Sequence, residues 1–387
     1  MRAGPGAGNA RKGKTATVTE PQHPQEPLGP EPAAGHTLPP ARSRKSQRRL
    51  ITATCIAVVI GFIALALPTP YIVEAPGPAV NTLGKVKDRD VIEVSGRKTY
   101  PADGSLDMTT VYVIGGAESR ISFFRVIQAW ADPRQDVYPE ETMYPRGATD
   151  EQISDRNAAE MDNSQQNAVA AALTSLEIPF SQQLSVAGLA TDANKGKLRT
   201  DDVLKAIDGK PITDLDMLKK ALQGGDGTPE LTVVRGGRDV RVDARATLSG
   251  EGQRQLGVYL DTRYTFPLEV TFGLSNVGGP SAGMMFALGI IDTLTPGDMT
   301  GGKQFAGTGT IEADGTVGPI GGIAQKLVGA RTAGADYFLA PADNCADVVG
   351  RVPDGLNVVK VSTLEQARDA VEAIGEGADP ASLPSCG

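Results

Sequence analysis

The sequence predicts an α/β protein in which one N-terminal transmembrane helix precedes a small α+β domain and a larger α/β domain. Three observations lead to this fold class. Leu50 to Leu67 is an uninterrupted apolar segment, residues 181–248 combine short strands with one amphipathic helix, and residues 250–375 alternate strand-like and helix-like patterns. A chain of 387 residues is long enough to hold these parts as separate domains.

Charge is distributed unevenly between an N-terminal arm, residues 1–49, and the body that follows. The arm carries nine Lys and Arg against three Asp and Glu, whereas the rest of the chain carries 29 against 43. An arm this rich in Pro, Gly and charge is not expected to fold. Because nucleic-acid binding depends on basic groups that neutralise phosphates, the acidic body predicts no nucleic-acid partner.

Histidine and cysteine usage limits the chemistry of the body. Both histidines, His23 and His36, lie in the arm, so the body can hold neither a Ser-His-Asp triad nor a histidine-containing metal site. The cysteines are too few and scattered for a zinc cluster, and Cys345 and Cys386 form either a disulfide or two free thiols. Residues 8–15 match a phosphate-binding loop without its flanking strand and helix, so we expect no cofactor.

The apolar segment from Leu50 to Leu67 is eighteen residues without a charge, about 27 Å of helix, which just spans a bilayer core. Basic residues precede it, so the positive-inside rule places the arm in the cytoplasm and the body outside the cell membrane. The predicted topology is single-pass. A cleaved signal peptide is the alternative, because Ala64-Leu65-Ala66 resembles a cleavage site.

Residues 71–180 are predicted to form a β-rich lead-in and a connecting helix. Runs of β-forming residues at 91–94 and 109–114 indicate strands, and apolar residues at helical spacing indicate a helix over 149–177 in one or two pieces. We therefore expect this region to be a separate segment ahead of the next domain.

Residues 181–248 form a compact unit of strands around one helix. A strand and a tight turn at Asp208-Gly209 precede that helix, whose start carries a capping-box pattern at Thr213 and Asp216. This arrangement resembles a PDZ domain, and the resemblance implies capture of an extended peptide by β-augmentation. A PDZ-like spacer that binds nothing is the alternative.

Ser281 follows Gly-Gly-Pro, a sequence that interrupts regular secondary structure. It precedes a segment, residues 282–294, that is apolar on all sides. We interpret Ser281 as the cap of a buried helix, whose N-terminal end would supply N–H groups for an oxyanion. An ordinary capping serine is the alternative.

Lys326 lies in the apolar stripe of a helix predicted to end at Gly334, after a hairpin over Asp314-Gly315. A lysine at such a position either reaches out to solvent or has a depressed pKa and acts as a base near neutral pH. Because the body has no histidine, a desolvated lysine is the available substitute for activating a serine.

Three motifs, GGPSAG at Ser281, TGTI beginning at Thr308 and VGPIGGIAQKLVGARTAGA around Lys326, resemble the proteolytic domain of Lon proteases over residues 250–375. With the membrane segment and the PDZ-like unit, the body resembles bacterial membrane-anchored Lon-like proteases. The resemblance implies that Ser281 is the nucleophile, Lys326 the general base and Thr308 a hydrogen-bonding partner that orients the lysine. It also implies a homo-oligomer.

The chain departs from the Lon pattern in three ways. A glycine replaces the acidic residue that precedes Gly-Pro-Ser, Ala324 replaces one of two common basic positions, and the matched region includes no AAA+ module. The resemblance therefore implies ATP-independent cleavage of unfolded or flexible extracytoplasmic protein segments. A tail-specific Ser/Lys protease and a catalytically silent membrane scaffold are the alternatives.

The end of the chain is predicted to alternate strand and helix. Strands are expected at 337–339 and 358–361, and a capping-box pattern at Ser362 and Glu365 predicts the start of a last helix. Residues 376–387 are expected to be a loose tail.

Overall fold

The computed structural model describes residues 44–386, apart from 117–118, 145–146, 148, 251 and 275–276. The phosphate-loop match, both histidines and most of the predicted arm lie outside the described residues. The helices are α1 (Arg44–Ala66), α2 (Phe123–Ala131), α3 (Asp150–Ser175), α4 (Leu215–Gly224), α5 (Gly283–Leu294), α6 (Ile323–Ala333), α7 (Cys345–Val348) and α8 (Leu364–Gly375).

The strands alternate with these helices along the chain. They are β1 (Tyr71–Asn81), β2 (Lys85–Val86), β3 (Arg89–Asp90), β4 (Ile92–Ser95), β5 (Ser105–Ile114), β6 (Asp136–Pro139), β7 (Ser181–Leu189), β8 (Val203–Ile207), β9 (Lys210–Pro211), β10 (Glu230–Arg235), β11 (Arg238–Asp243), β12 (Thr247–Leu248), β13 (Arg254–Gln255), β14 (Val258–Thr265), β15 (Glu269–Phe272), β16 (Gln304–Gly307), β17 (Thr310–Ile311), β18 (Val317–Gly318), β19 (Tyr337–Pro341) and β20 (Asn357–Val361).

A six-stranded mixed sheet, in the order β20-β19-β16-β5-β1-β6, carries the body. Strands β5, β16, β19 and β20 run parallel, and β1 pairs antiparallel with both β5 and β6. Successive strand residues alternate between two cores. Phe305 and Leu339 pack with α3, α5 and α8, whereas Ala306, Phe338 and Ala340 pack with α6. Helices therefore cover both faces, and the α/β class is confirmed.

The lead-in is not a separate segment. Its strands β1, β5 and β6 form half of the six-stranded sheet, and α3 packs on α5 as one unbroken helix. Local patterns identify these elements but not their partners. Strand β5 pairs with β16, and the register joins Ser105 to Gln304, almost 200 positions later in the chain.

The PDZ-like unit is a sheet in the order β11-β10-β8-β7-β14, with α4 packed on its own apolar core. Its predicted end at residue 248 is wrong, because β14 pairs with β7 from Val258–Leu189 to Thr265–Ser181. Residues 181–265 are thus inserted between α3 and β15 of the body.

Two helix starts lie one residue after the predicted positions. Asp214, not Thr213, caps α4 and accepts a hydrogen bond from the Met217 N–H. Thr363, not Ser362, caps α8 and accepts from the Gln366 N–H. In both cases a neighbouring capping-type residue produced the competing pattern.

The C-terminal segment is not a loose tail. Cys386 forms a disulfide with Cys345, and the Lys360 N–H donates to the Pro384 carbonyl at 2.8 Å. Leu383 packs against the main core. The segment 376–386 is therefore attached to the body covalently, by backbone hydrogen bonding and by packing.

Helix α1 contains the predicted membrane segment except for its last residue, Leu67. Among the described residues it is the one helix long and apolar enough to cross a bilayer, over Lys45–Ala66. Its side chains are exposed nearly throughout, as expected of a segment that would face lipid.

Candidate functional site

Ser281 lies in the turn between the Gly-Gly-Pro sequence and α5. The helix begins at Gly283, its N-cap is Ala282, and no side chain caps it. The prediction that Ser281 caps the helix is therefore wrong. Its hydroxyl points instead toward Lys326, and this position also excludes the alternative of an ordinary capping serine.

Lys326 lies on the second turn of α6, on the face that packs against the central sheet. Its side chain is 2% exposed, so it does not reach solvent. The predicted helix end is confirmed, because Gly334 takes a left-handed conformation (φ 100°) directly after Ala333. Burial of Lys326 follows from the pattern in which Ile323, Leu327 and Ala330 share its stripe and pack in one core.

Three side chains meet at this point. The Lys326 Nζ lies 2.8 Å from the Ser281 Oγ and 2.9 Å from the Thr308 Oγ1. The Thr308 hydroxyl also donates to the Ser281 backbone carbonyl at 2.9 Å. The structure thus brings together all three residues that the sequence singled out.

Burial lowers the pKa of Lys326 to about 7, and the nearby Glu74 carboxylate opposes this shift. At neutral pH a substantial fraction of the side chain is a neutral amine. That amine keeps two N–H donors and gains one lone pair. It can donate to Thr308 and accept the Ser281 proton at the same time.

Glu74 is a residue that the sequence reading missed. It lies on β1, is 2% exposed, and has a pKa raised by burial and by Asp136 and lowered by Lys326. Gly322, which precedes α6, packs closely against β5 and Glu74, since a Cβ there would lie 2.8 Å from the Val111 Cγ1 and 3.3 Å from the Glu74 Oε2. The available signal was one acidic residue inside the apolar run YIVEAP.

Helix α3 supports the loop before Ser281 and the neighbouring β17–β18 hairpin. The Ser164 hydroxyl donates to the Pro280 carbonyl at 3.0 Å, and the Asn167 amide donates to the Ile311 carbonyl at 3.2 Å. Gly278 lies directly against this helix, where a Cβ would stand 2.9 Å from the Asn157 Cβ. Close packing therefore explains a glycine in this part of the motif.

The predicted hairpin is confirmed by the pairing of β17 with β18. It borders an open cleft of about 350 Å³ into which Ser281 faces. The cleft is lined by Pro280, Ser281, Thr310, Pro319, Ile320 and Gly321. Such a cleft leaves room for a peptide segment beside the serine hydroxyl.

Among the residues that the structure describes, no group of three or more His, Cys, Asp or Glu side chains could hold a metal ion.

Comparison with known proteins gives matches to the proteolytic region. Residues 266–373 match the Lon protease (S16) C-terminal proteolytic domain. The chain is 38% identical over 113 residues to Lon protease of Phenylobacterium zucineum, covering 29% of this chain and 14% of that protein. It is 31% identical over 183 residues to Lon protease 1 of Bacillus subtilis, covering 44% and 23%. These matches span less than a quarter of the relatives' own length.

Among solved structures, the PDZ domain of the SdrC-like protein from Listeria monocytogenes is similar at 17% identity and a TM-score of 0.19. The match covers 20% of this chain and 85% of that domain. Residues 266–373 are therefore similar to the proteolytic domain of Lon proteases (S16), and the described part of the chain also has one apolar helix near its N-terminus that is long enough to cross a bilayer.

Proposed function

We propose that this protein is an ATP-independent serine endopeptidase that cleaves unfolded or flexible protein segments with Ser281 and Lys326. The observation that carries the proposal is the 2.8 Å contact between the Ser281 Oγ and a buried Lys326 Nζ whose pKa is near 7. A serine hydroxyl needs a base within hydrogen-bond reach, and a neutral lysine amine meets that need.

The reaction proceeds in two steps, acylation of Ser281 and hydrolysis of the acyl-enzyme. The Ser281 Oγ attacks the scissile carbonyl while Lys326 takes its proton, and the ammonium then protonates the leaving amine to give an acyl-enzyme. Water next attacks the ester, Lys326 takes one water proton and returns it to the Ser281 Oγ, and the acid product leaves. Thr308 holds the lysine so that its lone pair points at Ser281. The positive end of α5, which begins two residues after Ser281, favours the developing oxyanion.

ATP independence is supported by the assembly of the site within this chain. Ser281, Thr308 and Lys326 are already in hydrogen-bond contact, held by α3, α5 and α6 of one packed body. No powered movement is required to form the dyad. In this proposed ATP-independent mode, we expect folded domains to be spared and flexible segments to be cut.

Recruitment by the PDZ-like unit is supported by a second, larger cleft of about 720 Å³. Strand β14, the edge of its sheet, and the start of α4 form one side of the cleft, and the tip of the β17–β18 hairpin forms the other. A segment added to the β14 edge would therefore lie close to the hairpin that borders Ser281. Five carboxylates and one lysine line the cleft, which favours basic segments: Asp214, Asp216, Asp261, Glu312, Asp314 and Lys219.

Anchoring through α1, with the arm in the cytoplasm and the body outside, is supported by the apolar span and by the disulfide. Disulfides persist in oxidising compartments outside the cytoplasm. Protease added to intact cells should digest the body and leave the arm protected. A homo-oligomer stays a prediction, which sedimentation of the full chain would test.

The test is cleavage of casein by the full chain in detergent without nucleotide. Wild type should cut internally, whereas Ser281→Ala and Lys326→Met should lose roughly 10³-fold or more in kcat/KM. Ser382→Ala and Lys360→Ala, at exposed positions away from the site, serve as matched controls that should retain activity.

A serine-reactive acylating probe should label wild type at Ser281 and neither site variant. Folded wild type that neither cuts nor reacts would contradict the proposal and favour a membrane scaffold. Products trimmed only from the C-terminus would favour a tail-specific protease.

A further inference from the structure

Helix α2 presents an exposed apolar stripe that the proposed reaction does not use. Phe123, Phe124, Ile127 and Trp130 are 38%, 49%, 39% and 61% exposed. At about 100° per residue these side chains and Ala131 occupy one arc of about 120°. Four large apolar side chains on a nine-residue helix form a continuous surface rather than scattered exposed residues.

The opposite face of α2 is fixed to the body. Val126 and Ala129 are fully buried with Val73 and Ile121, and the Ser122 hydroxyl caps the helix by accepting from the Arg125 N–H. The helix therefore cannot rotate its apolar stripe inward without losing this core. The stripe is a permanent outward surface.

The start of α2 is hydrogen-bonded to the end of the apolar span. The Phe123 N–H donates to the Leu67 carbonyl at 3.0 Å, and the Thr69 N–H donates to the Ile121 carbonyl at 2.9 Å. Pro68 and Ser122 form an isolated β-bridge. Leu67 directly follows the last residue of α1, so the first turn of α2 lies at the depth where the span leaves the hydrocarbon.

We propose that α2 lies in the headgroup and upper acyl region of the same bilayer that α1 crosses, with its Phe, Ile and Trp side chains inserted. The inference rests on the proposed membrane anchoring. Aromatic side chains are enriched at this depth, and an amphipathic helix with one apolar face is suited to it. Tyr71, which contacts the Trp130 ring edge-on at 6.5 Å, extends the same aromatic belt.

Lipid is favoured over a second copy of the chain as the occupant of this surface. A stable protein interface buries about 800 Å² on each partner. A nine-residue helix is only about 13 Å long, so one face of α2 is too small to supply an interface of that area by itself. The hydrogen bonds to Leu67 place α2 beside lipid whenever α1 is in the membrane. Two attachments, one spanning and one interfacial, then fix the orientation of the body relative to the bilayer.

Trp130 is the one tryptophan in the sequence, so its fluorescence reports on this helix alone. The full chain is reconstituted in phosphatidylcholine vesicles with or without lipid brominated on acyl carbons near the headgroup. We expect the brominated lipid to quench Trp130 roughly twofold and the bilayer to shield it from aqueous iodide. Flotation of the vesicles measures anchoring separately.

The matched control moves the tryptophan to the PDZ-like unit by Leu248→Trp in a Trp130→Phe background. Leu248 is 67% exposed, so this tryptophan should be quenched by iodide and not by brominated lipid. Protein that floats while Trp130 remains open to iodide and insensitive to bromine would overturn the proposal and leave the anchor intact.

Trp130 could instead be shielded from iodide in detergent as well, be unaffected by brominated lipid, and become exposed on dilution. This result would overturn the proposal in favour of a second copy of the chain. A chain that does not float would remove the anchor and this inference together. Casein cleavage is measured independently of both.

Discussion

The depressed pKa of Lys326 connects burial to catalysis. A base must be neutral to accept the Ser281 proton, and burial lowers the Lys326 pKa to about 7. We therefore expect kcat/KM to rise with pH through about 7 and to reach a plateau above it. The measurement is a pH profile with an unstructured peptide substrate. Activity that is already maximal well below pH 6 would contradict the assignment of Lys326 as the base.

Glu74 should affect the pH at which kcat/KM rises, the acid limb of the pH profile. Its carboxylate raises the Lys326 pKa, opposing the larger effect of burial. Glu74→Gln removes this charge at nearly constant volume, so the limb should move to lower pH while the plateau rate changes less. Glu93→Gln, at an exposed position on β4, is the matched control and should leave the profile unmoved. A lower plateau with an unshifted limb would indicate a purely structural role for Glu74.

The same burial has a cost in stability that depends on pH. The unfolded state binds a proton on Lys326 up to about pH 10.5, whereas the folded state releases it near 7, so stability should rise between these values. At pH 7 the cost amounts to about 4 kcal/mol. Lys326→Met should therefore raise the free energy of unfolding at pH 7, and the difference from wild type should shrink toward pH 10. Denaturant titrations at the two pH values measure it, and a difference independent of pH would contradict this account.

At the level of elements, the close contact between α5 and the hairpin depends on Gly283. A Cβ there would lie 2.6 Å from the Ile311 Cγ2 and 2.8 Å from the Ser164 Oγ. Gly283→Ala should thus destabilise the fold by about 1–3 kcal/mol despite the better helix propensity of alanine, and lower kcat/KM by displacing the hairpin. Gly224→Ala, at the end of α4 with open space around it, is the control and should be neutral or stabilising. Equal unfolding midpoints for the two variants would rule out the packing argument.

Elements with strong local signals were predictable from sequence, and those set by distant partners were not. The apolar stripe of Lys326 and the turn at Asp314-Gly315 each depend on a few adjacent residues, and both were identified correctly. The role of β1 was not, because its partners β5 and β6 are chosen by the fold of the whole chain. Glu74 was missed for the same reason. Its effect on the pKa of Lys326 depends on α6, which follows about 250 residues later in the chain.

The three proposed site residues could be predicted from the sequence because their chemistry restricts the choices. A body without histidine leaves few bases for a serine, and a lysine in an apolar stripe is rare enough to notice. The geometry around Ser281 was less accessible. Pro280 and the glycines before it also fit a simple helix cap, and the contacts that hold this loop, such as the hydrogen bond from Ser164 of α3 to Pro280, come from distant parts of the chain.

At the scale of the whole molecule, the main feature is that the PDZ-like unit is inserted into the body rather than placed before it. It leaves the body after α3 and returns before β15, and near its end the Tyr264 hydroxyl donates to the Asn167 Oδ1 of α3 at 3.2 Å. If the insert recruits substrate as proposed, a segment bound at the β14 edge would lie near the β17–β18 hairpin that borders Ser281.

The disulfide should couple the end of the chain to the Ser281 cleft. Cys345 directly follows Asn344, whose buried side chain exchanges two hydrogen bonds of 2.9 Å with the backbone of Ile320, a residue lining that cleft. The bridge closes a loop with a sequence separation of 41, which stabilises the fold by up to about 4 kcal/mol in the chain-entropy model. Cys386→Ser should therefore lower both Tm and kcat/KM. It should leave the pH limb in place, since Lys326 stays buried on α6.

Dithiothreitol provides the internal comparison for this coupling. It should bring wild type down to the Tm of Cys386→Ser and leave that variant unchanged. Cys55→Ser, which alters the cysteine in α1, should behave like wild type in both conditions. Loss of Tm without loss of kcat/KM would mean that Asn344 holds Ile320 unaided, whereas loss of both would show that an oxidising compartment is needed to keep the cleft in its active form. Because disulfides persist outside the cytoplasm, the second result would also link full activity to the proposed location of the body.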